Sequence, residues 1–541
     1  MRSIRDKFKP RNVRPVHTRM EMEELLEKKP EYRDCLFARG YLVTDDDTIS
    51  TNDYPFYDKW NCLNVGKYKV FVHKKENYSI YDEYERKYLI IGNAYNPVSM
   101  KWEEKELLKD CASTSSDEGF YNEINNWTGA FVLFVFDENE LSVMTDASSM
   151  KMCNYSIDDG NIYLSSHVQL LADLLDAPMT EYAAKIRTTK MYNTGMRWLP
   201  GNSTAYENIN RLECNIIGKY DEKNSVFEVF RFWPLKPHSE FSTADEYEKG
   251  TEEIYRLIHN NLLLSIKKWE TPAITLTGGM DSGCTFACSK GVTEKFKIVS
   301  YDCKEQEKKD SDIARKKCDR INVKHYQYHI PDLNSEVKDF DAICMILDHN
   351  TSYIKNLAAE EIRKIIVFSS LNDFDVELKS DIAEIGRAFY GQKYGMKMPK
   401  VISARQASIL QTRFLFMPSL FRKTRKEYKR HLEQINLSKP LFNYDHSDLI
   451  YWEYRISVAS AYTTLSMGMT HTMTFPYNNR QILETFLCFP YDLRLTDYPQ
   501  NSIIKEKMPE AFQEEGKVDN KYLTKRRVLL EKVFFKIRSY I

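Results

Sequence analysis

The stretch Leu276-Thr277-Gly278-Gly279-Met280-Asp281-Ser282-Gly283 holds two glycines and an acid, with hydroxyls on both sides. It lies between an apolar run (Ala273, Ile274, Leu276) and a predicted helix over Cys284 to Lys290. A strand, a glycine-rich turn and a helix start, in that order, build a phosphate cradle. Gly278 and Gly279 let the backbone approach closely and turn its N–H groups inward, and the helix N-terminus adds positive potential. Thr277 and Ser282 can donate hydroxyl hydrogen bonds, and Asp281 can hold a Mg²⁺ that bridges phosphate oxygens. The Walker pattern is excluded, because no Gly-Lys-Ser/Thr ending follows and an acid stands where the lysine would be. An ordinary glycine turn is the alternative, and it would need none of these side chains.

The elements around this loop alternate. Thr243 and Glu246 make a capping box, and Ile254, Leu257, Ile258 and Leu262 form the apolar stripe of a long helix. After it the sequence predicts a strand (Ala273–Leu276), the loop and its helix, a strand (Lys297–Tyr301), a helix (Ser311–Arg320) and a strand (His325–Ile330). That alternation predicts a parallel sheet with crossover helices, with the loop at the carboxyl end of a strand. From about residue 350 onward the pattern reads as mainly helical. Before residue 235 it is different. Short strands such as Tyr68–His73, Tyr88–Ile91, Gly129–Phe136, Glu140–Thr145 and Asn161–Ser165 are broken by turns, with helices near Lys101–Asp110 and Ser166–Leu175. This is an α+β pattern.

At 541 residues the chain exceeds one usual core, so two domains are expected, divided near residue 235. The 35 tyrosines argue for well-filled cores and against disorder, and a net charge of −1 gives no global attraction to nucleic acid or membrane. Eleven scattered cysteines without a Cys-x-x-Cys pair predict a reduced, cytoplasmic setting with no disulfide framework and no zinc site. The longest apolar run, Gly129 to Phe136, is too short to span a bilayer. Residues 1–20 carry Arg2, Arg5, Lys7, Lys9, Arg11, Arg14 and Arg19 with no apolar segment behind them, which predicts a solvated basic arm rather than a secretory signal. The stretch Phe421–Arg430 carries six bases and one acid and reads as a solvated helix face. His325, His329 and His471 show no metal spacing.

With the loop placed, its residues resemble the Ser-Gly-Gly-x-Asp-Ser pyrophosphate loop of the N-type ATP pyrophosphatases, with Thr277 for the first serine. The rest of the chain resembles the glutamine-dependent asparagine synthetases. Gly92-Asn93-Ala94-Tyr95-Asn96 is similar to that family's Asn-Gly-Glu-Ile-Tyr-Asn segment. Gly129 to Asp137, followed by Asp146, is similar to its Gly-x-Phe-Ala and Arg-Asp strands. Tyr163-Leu164-Ser165-Ser166 resembles the strand leading to its Ser-Glu helix, and Thr204 to Leu212 its interdomain linker. Further on, Asp310 with Ala314-Arg315, Tyr451 to Ser457, Phe475 to Asn479 and Phe489-Pro490 are similar to its synthetase segments, with Arg455 on the family arginine.

The resemblance implies an α+β, Ntn-hydrolase-like and degenerate glutaminase domain over residues 21–235. An α/β, adenine-nucleotide α-hydrolase-like synthetase domain with a parallel sheet and a helical C-terminal part would cover 236–541. It places Leu276 to Ser282, Ser300 and Tyr301 against ATP. It also implies Mg²⁺ on Asp281 together with a second site among Asp375, Asp381 and Glu384, with a charged helix start and Arg387 in an ion pair as the alternative. The family's catalytic lysine falls near Asn501, which makes Lys505 and Lys507 the candidates. The glutaminase chemistry is expected to be lost: Arg2 stands where the family has its catalytic cysteine, Cys35 and Cys62 are internal, and Ile91 and Asn93 replace the oxyanion Asn and the Glu. β-Lactam synthetases and lasso-peptide cyclases share that loss.

The reaction so implied is adenylation of a small-molecule or peptide carboxylate, loss of pyrophosphate, and displacement of AMP by an amine. Asp281, Arg455 and Lys505 or Lys507 would act in it. A PP-loop enzyme acting on RNA and a catalytically impaired nucleotide-binding scaffold are the alternatives, although no nucleic-acid module is visible. The oligomeric state, a homodimer included, stays open.

Overall fold

The computed structural model describes residues 13–82, 86–189, 192, 198–303, 305–411, 417–512 and 524–540. The first half carries β1 (Tyr41–Thr44), β2 (Trp60–Val65), β3 (Tyr68–His73), β4 (Tyr78–Tyr81), β5 (Lys87–Tyr95) and β6 (Thr128–Phe136). It continues with β7 (Glu140–Thr145), β8 (Cys153–Asp158), β9 (Asn161–Ser165), β10 (Asn210–Leu212), β11 (Ile216–Asp221) and β12 (Val226–Arg231). These make two antiparallel sheets, ordered β10-β8-β9-β1-β3-β2 and β12-β11-β7-β6-β5-β4. Aromatic pairs fasten the sheets face to face. Tyr41 packs edge-on to Phe134 at 5.7 Å, Tyr68 lies 5.3 Å from Phe136, and Tyr155 lies 4.2 Å from Phe227.

All nine residues of β6 are buried, as the apolar run predicts for a central strand. β5 and β6 meet so closely that Gly129, at φ +136°, has no room for a side chain: a Cβ there would lie 2.0 Å from the Asn93 carbonyl oxygen.

The second half holds a parallel sheet ordered β15-β14-β13-β16-β17. Its strands are β13 (Pro272–Thr275), β14 (Lys297–Asp302), β15 (His325–His329), β16 (Val376–Leu378) and β17 (Thr472–Thr474). The long helix spans Ala244–Lys268. Its capping box forms as expected: Thr243 Oγ1 accepts from Glu246 N at 3.3 Å, and the Glu246 carboxylate accepts from Thr243 N at 3.0 Å. Ile254, Leu257, Ile258 and Leu262 are all fully buried.

Two expectations need correction. The region after residue 350 is mainly helical but supplies β16 and β17, three residues each, too short to show a period. The helix after the loop is Met280–Cys288, so Asp281 and Ser282 belong to its first turn.

A buried polar weld joins the halves. Arg231 grips Glu453 through two bonds of 2.7 and 2.8 Å, and Asn215 donates to Glu453 at 2.9 Å. Arg480 donates to Asn215 at 2.8 Å, and Asn478 to Asp146 at 2.7 Å. Trp233 packs edge-on to Trp452 at 4.7 Å. No helix among the described residues is long and apolar enough to cross a membrane.

Residues 1–12 of the basic arm lie outside the described residues. Arg19 is exposed as expected of a solvated arm, whereas Arg14 is drawn into the protein. Arg14 is paired with Asp348 and donates to Leu357 O at 3.1 Å, and Arg19 donates to Asp173 O at 3.2 Å. The Phe421–Arg430 bases do lie on an exposed helix face, with Arg430 3.1 Å from Glu427 and Lys423 3.6 Å from Glu181.

Candidate functional site

The loop leaves β13 at the carboxyl end of the sheet, where Leu276 N donates to Val299 O at 2.9 Å and the Leu276 side chain is fully buried. Thr277 and Ser282 tie it together. Their hydroxyls lie 2.9 Å apart, Ser282 Oγ accepts from Thr277 N at 3.2 Å, and Thr277 Oγ1 accepts from Gly279 N at 3.1 Å. Neither Gly278 nor Gly279 has a positive φ. At Gly278 a Cβ would press on the side-chain ends Asp310 Oδ1, at 2.7 Å, and Ile313 Cδ1, at 3.0 Å, which would have to shift to admit it. Gly279 is the N-cap and offers no capping side chain, so the first N–H groups of the Met280–Cys288 helix depend on an outside acceptor.

A cleft of about 380 Å³ opens over this end of the sheet. From the loop, Thr277, Gly279, Asp281 and Ser282 line it. Tyr301 enters from β14, and Asp381 and Glu384 from the turn after β16. Arg455 completes the lining from a π-helical turn, Tyr451–Ile456, a deformation often found at functional sites. Its guanidinium lies over the Trp198 ring at 4.1 Å.

Other predicted residues are placed elsewhere. Ser300 is buried with its hydroxyl 2.8 Å from His325 Nε2, and Met280 packs against the core. Asp375 accepts from Glu270 N and Thr271 N at 2.8 and 3.2 Å, so it caps backbone outside the cleft. Lys505 is exposed on the Tyr498–Lys507 helix. Lys507 is held by Glu252 at 2.6 Å and Glu506 at 2.8 Å, over the Tyr255 ring. Neither lysine lines the cleft.

Lys379, which sequence reasoning missed, does line it. Its only signal was a charged residue following Val376-Glu377-Leu378, too short a run to read as a strand. Lys379 Nζ lies 3.0 Å from Glu377 Oε1 and donates to the Tyr301 hydroxyl. Burial opposes its charge, but Glu377, Tyr301 and Asp381 outweigh burial and raise its pKa. Burial likewise opposes the Glu377 charge, yet Lys379 and His471 hold that carboxyl below its ordinary value. His471 Nε2 is 2.9 Å from Glu377 Oε2, and the Thr275 hydroxyl donates to Oε1.

Asp281 differs from Glu377. Burial pushes its carboxyl up to about 7, with Glu384 and Asp497 adding to the rise and Arg387 working against it. Arg387 Nη1 is 3.0 Å from Asp281 Oδ2 and also grips Asp497 at 2.8 and 3.0 Å. Asp281 Oδ1 is buried with no hydrogen-bond partner. A carboxylate oxygen left open in this way suits a cation. Among the described residues no group of three or more His, Cys, Asp or Glu side chains gathers to hold a metal alone. A Mg²⁺ on Asp281 would therefore complete its shell with phosphate oxygens and water. Glu384 accepts a hydrogen bond from the Tyr451 hydroxyl, and Tyr451 stacks on Phe389 at 4.4 Å.

The first half has no comparable array on its candidate residues. Burial pushes the half-buried Cys35 thiol up to about 11 and raises Cys62, so neither favours the thiolate. Ile91 is fully buried, and Asn93 donates to Met473 O at 3.3 Å. Asp146 accepts backbone N–H bonds from Phe131, Met150 and Lys151 at 2.9 to 3.1 Å, which is a structural role.

No family model matches this sequence, and no curated protein does. Among solved structures, similarity is found to the allosteric regulatory enzyme of purine biosynthesis, at TM-score 0.24 and 8% identity over 47% of this chain. The chain spans 57% of that structure's length. A second is glutamine phosphoribosylpyrophosphate amidotransferase from B. subtilis, complexed with ADP and GMP. It has TM-score 0.23 and 8% identity, covering 76% of this chain and 78% of that one. A third is glutamine-dependent NAD+ synthetase from Acinetobacter baumannii in complex with ADP, at TM-score 0.20 and 11% identity, covering 39% and 44%. Likenesses this low assign neither a family nor an activity to the chain.

Proposed function

We propose that the chain is an ATP-dependent, amide-bond-forming ligase of the asparagine synthetase type, working without a glutaminase. One observation carries the reading. The loop residues Thr277, Asp281 and Ser282 open at the carboxyl end of a parallel strand onto the same cleft as Asp381, Glu384 and Arg455, which lie about 100 to 180 residues away in sequence. A substrate carboxylate attacks the α-phosphorus of ATP, and the bond to pyrophosphate breaks. The hydroxyls of Thr277 and Ser282 and the uncapped N–H groups after Gly279 hold the departing pyrophosphate. Mg²⁺, held by Asp281, would supply charge neutralisation on the phosphates when bound. An amine then attacks the acyl carbon and AMP leaves. Asp381 and Glu384 are the cleft carboxylates available to take the proton that the amine loses, and Arg455 offsets charge on the phosphate. The amine is free ammonia or an amino group on the substrate or on a second molecule, because Cys35 and Cys62 are not arranged to release ammonia from glutamine.

Calorimetry with ATP and Mg²⁺ tests this. Native protein is expected to bind, and D281A to bind weakly or not at all. AMP should then appear when acid and amine pools are screened. Folded native protein that binds no ATP would overturn the reading. ATP binding without AMP release from any pool would leave a nucleotide-binding scaffold in its place.

A further inference from the structure

The cleft's lysine is not where the sequence places it. Lys505 and Lys507 lie outside the cleft, and Arg387 is committed to Asp281 and Asp497. Lys379 follows β16, whose Ile274–Leu378 register with β13 brings it beside the start of the loop. Its backbone N–H donates to Thr474 O at 3.0 Å, which fixes it to β17 as well. An ammonium carries three donors. The Tyr301 hydroxyl takes one, Glu377 is ion-paired with the ammonium at 3.0 Å, and the Tyr301 ring lies 4.8 Å from it. Donor capacity is left for a group in the cleft that Lys379 lines. Glu377 is itself held by His471 at 2.9 Å and by the Thr275 hydroxyl, so the ammonium is fixed by three strands and cannot swing away. A long, flexible cation loses side-chain entropy when it binds an anion, and one already fixed loses little.

We propose that Lys379 is a fixed cation of this cleft beside Arg455 and binds a phosphate oxygen of the nucleotide, in place of a lysine from the Tyr498–Lys507 helix. The proposal rests on the nucleotide reading above.

The test compares native protein with K379M, K379R and the double variant E377Q/K379M, using calorimetry with ATP and separately with inorganic pyrophosphate. Thermal unfolding monitors the fold. K379M is expected to weaken ATP binding by at least about tenfold, the worth of one charge-assisted hydrogen bond. K379R keeps the charge but not the shape of the buried ammonium, and its loss should be smaller than that of K379M. If K379M does not fold, because Glu377 has lost its buried partner, the double variant removes that strain and should show the same weakening. Native binding with no loss in the folded lysine-free variant overturns this proposal alone, leaving Lys379 as a strut for Glu377. Failure of native protein to bind ATP overturns the nucleotide reading and this proposal together.

Discussion

Asp281, partly exposed at the cleft wall, and Glu377, buried, both lie beside cations, yet their protonation is driven in opposite directions. Glu377 has a lysine at 3.0 Å and a histidine at 2.9 Å to itself. Asp281 shares one guanidinium with Asp497 and has an oxygen with no partner. Burial pushes its carboxyl up to about 7, above the ordinary 3.8, and the shared Arg387 does not offset it. A group whose pKa is raised by folding contributes stability while protonated and loses it as pH rises through the folded value. The D281N variant has no such titration. Its stability relative to native should grow from pH 4 to pH 7 and level off above, as read by urea unfolding at four pH values. A flat difference would place the carboxyl in its ordinary range. Mg²⁺ with ATP should reduce the slope in the native protein, because a bound cation favours the ionised carboxylate.

At the scale of elements, β16 is three residues long and still organises the cleft. It pairs with both β13 and β17, and Glu377 links Thr275, Lys379 and His471. E377Q leaves Lys379 as a buried charge without a full counter-charge and should cost about 3 kcal/mol in unfolding free energy near pH 7. The Glu377 carboxyl is held below its ordinary 4.5 by Lys379 and His471, against burial. Its contribution is therefore present above about 4.5 and lost as pH falls below. The gap between native and E377Q should accordingly narrow below pH 4.5. In the first half, G129A sets a Cβ 2.0 Å from a backbone oxygen at a φ of +136°. A loss of at least about 3 kcal/mol or failure to fold is expected, measured as the urea midpoint or soluble yield.

Across the whole molecule, the weld from Arg231 through Glu453, Asn215 and Arg480 makes the two halves depend on each other. Arg231 and Glu453 are both almost fully buried, so cutting the pair strands a charge. E453Q should cost about 3 to 5 kcal/mol. It should also split a single calorimetric transition into two if the weld couples the halves. One transition at lower temperature would show that other contacts, such as Trp233 on Trp452, suffice for coupling.

The strand–loop–helix unit was legible because it is local. A strand, two glycines, an acid and a hydroxyl occupy eight consecutive residues, and the long helix announces itself by its capping box and apolar stripe. The alternation of elements up to β15 was legible for the same reason. What the sequence by itself determined was therefore a glycine-rich loop between a strand and a helix, the alternating elements of the parallel sheet beneath it and the short-strand, α+β character of the first half. Tertiary structure alone decided which distant charges face the loop. β16 and β17 are too short to carry a period, so their place in the sheet depends on pairing with strands about 100 residues apart. That pairing brings in Lys379, Asp381 and Glu384. Lys505 and Lys507, chosen by counting along the chain, sit on a helix that points them to Glu252 or solvent. Sequence spacing specifies neighbours within an element, whereas the cleft is made by side chains whose proximity comes only from strand pairing and packing.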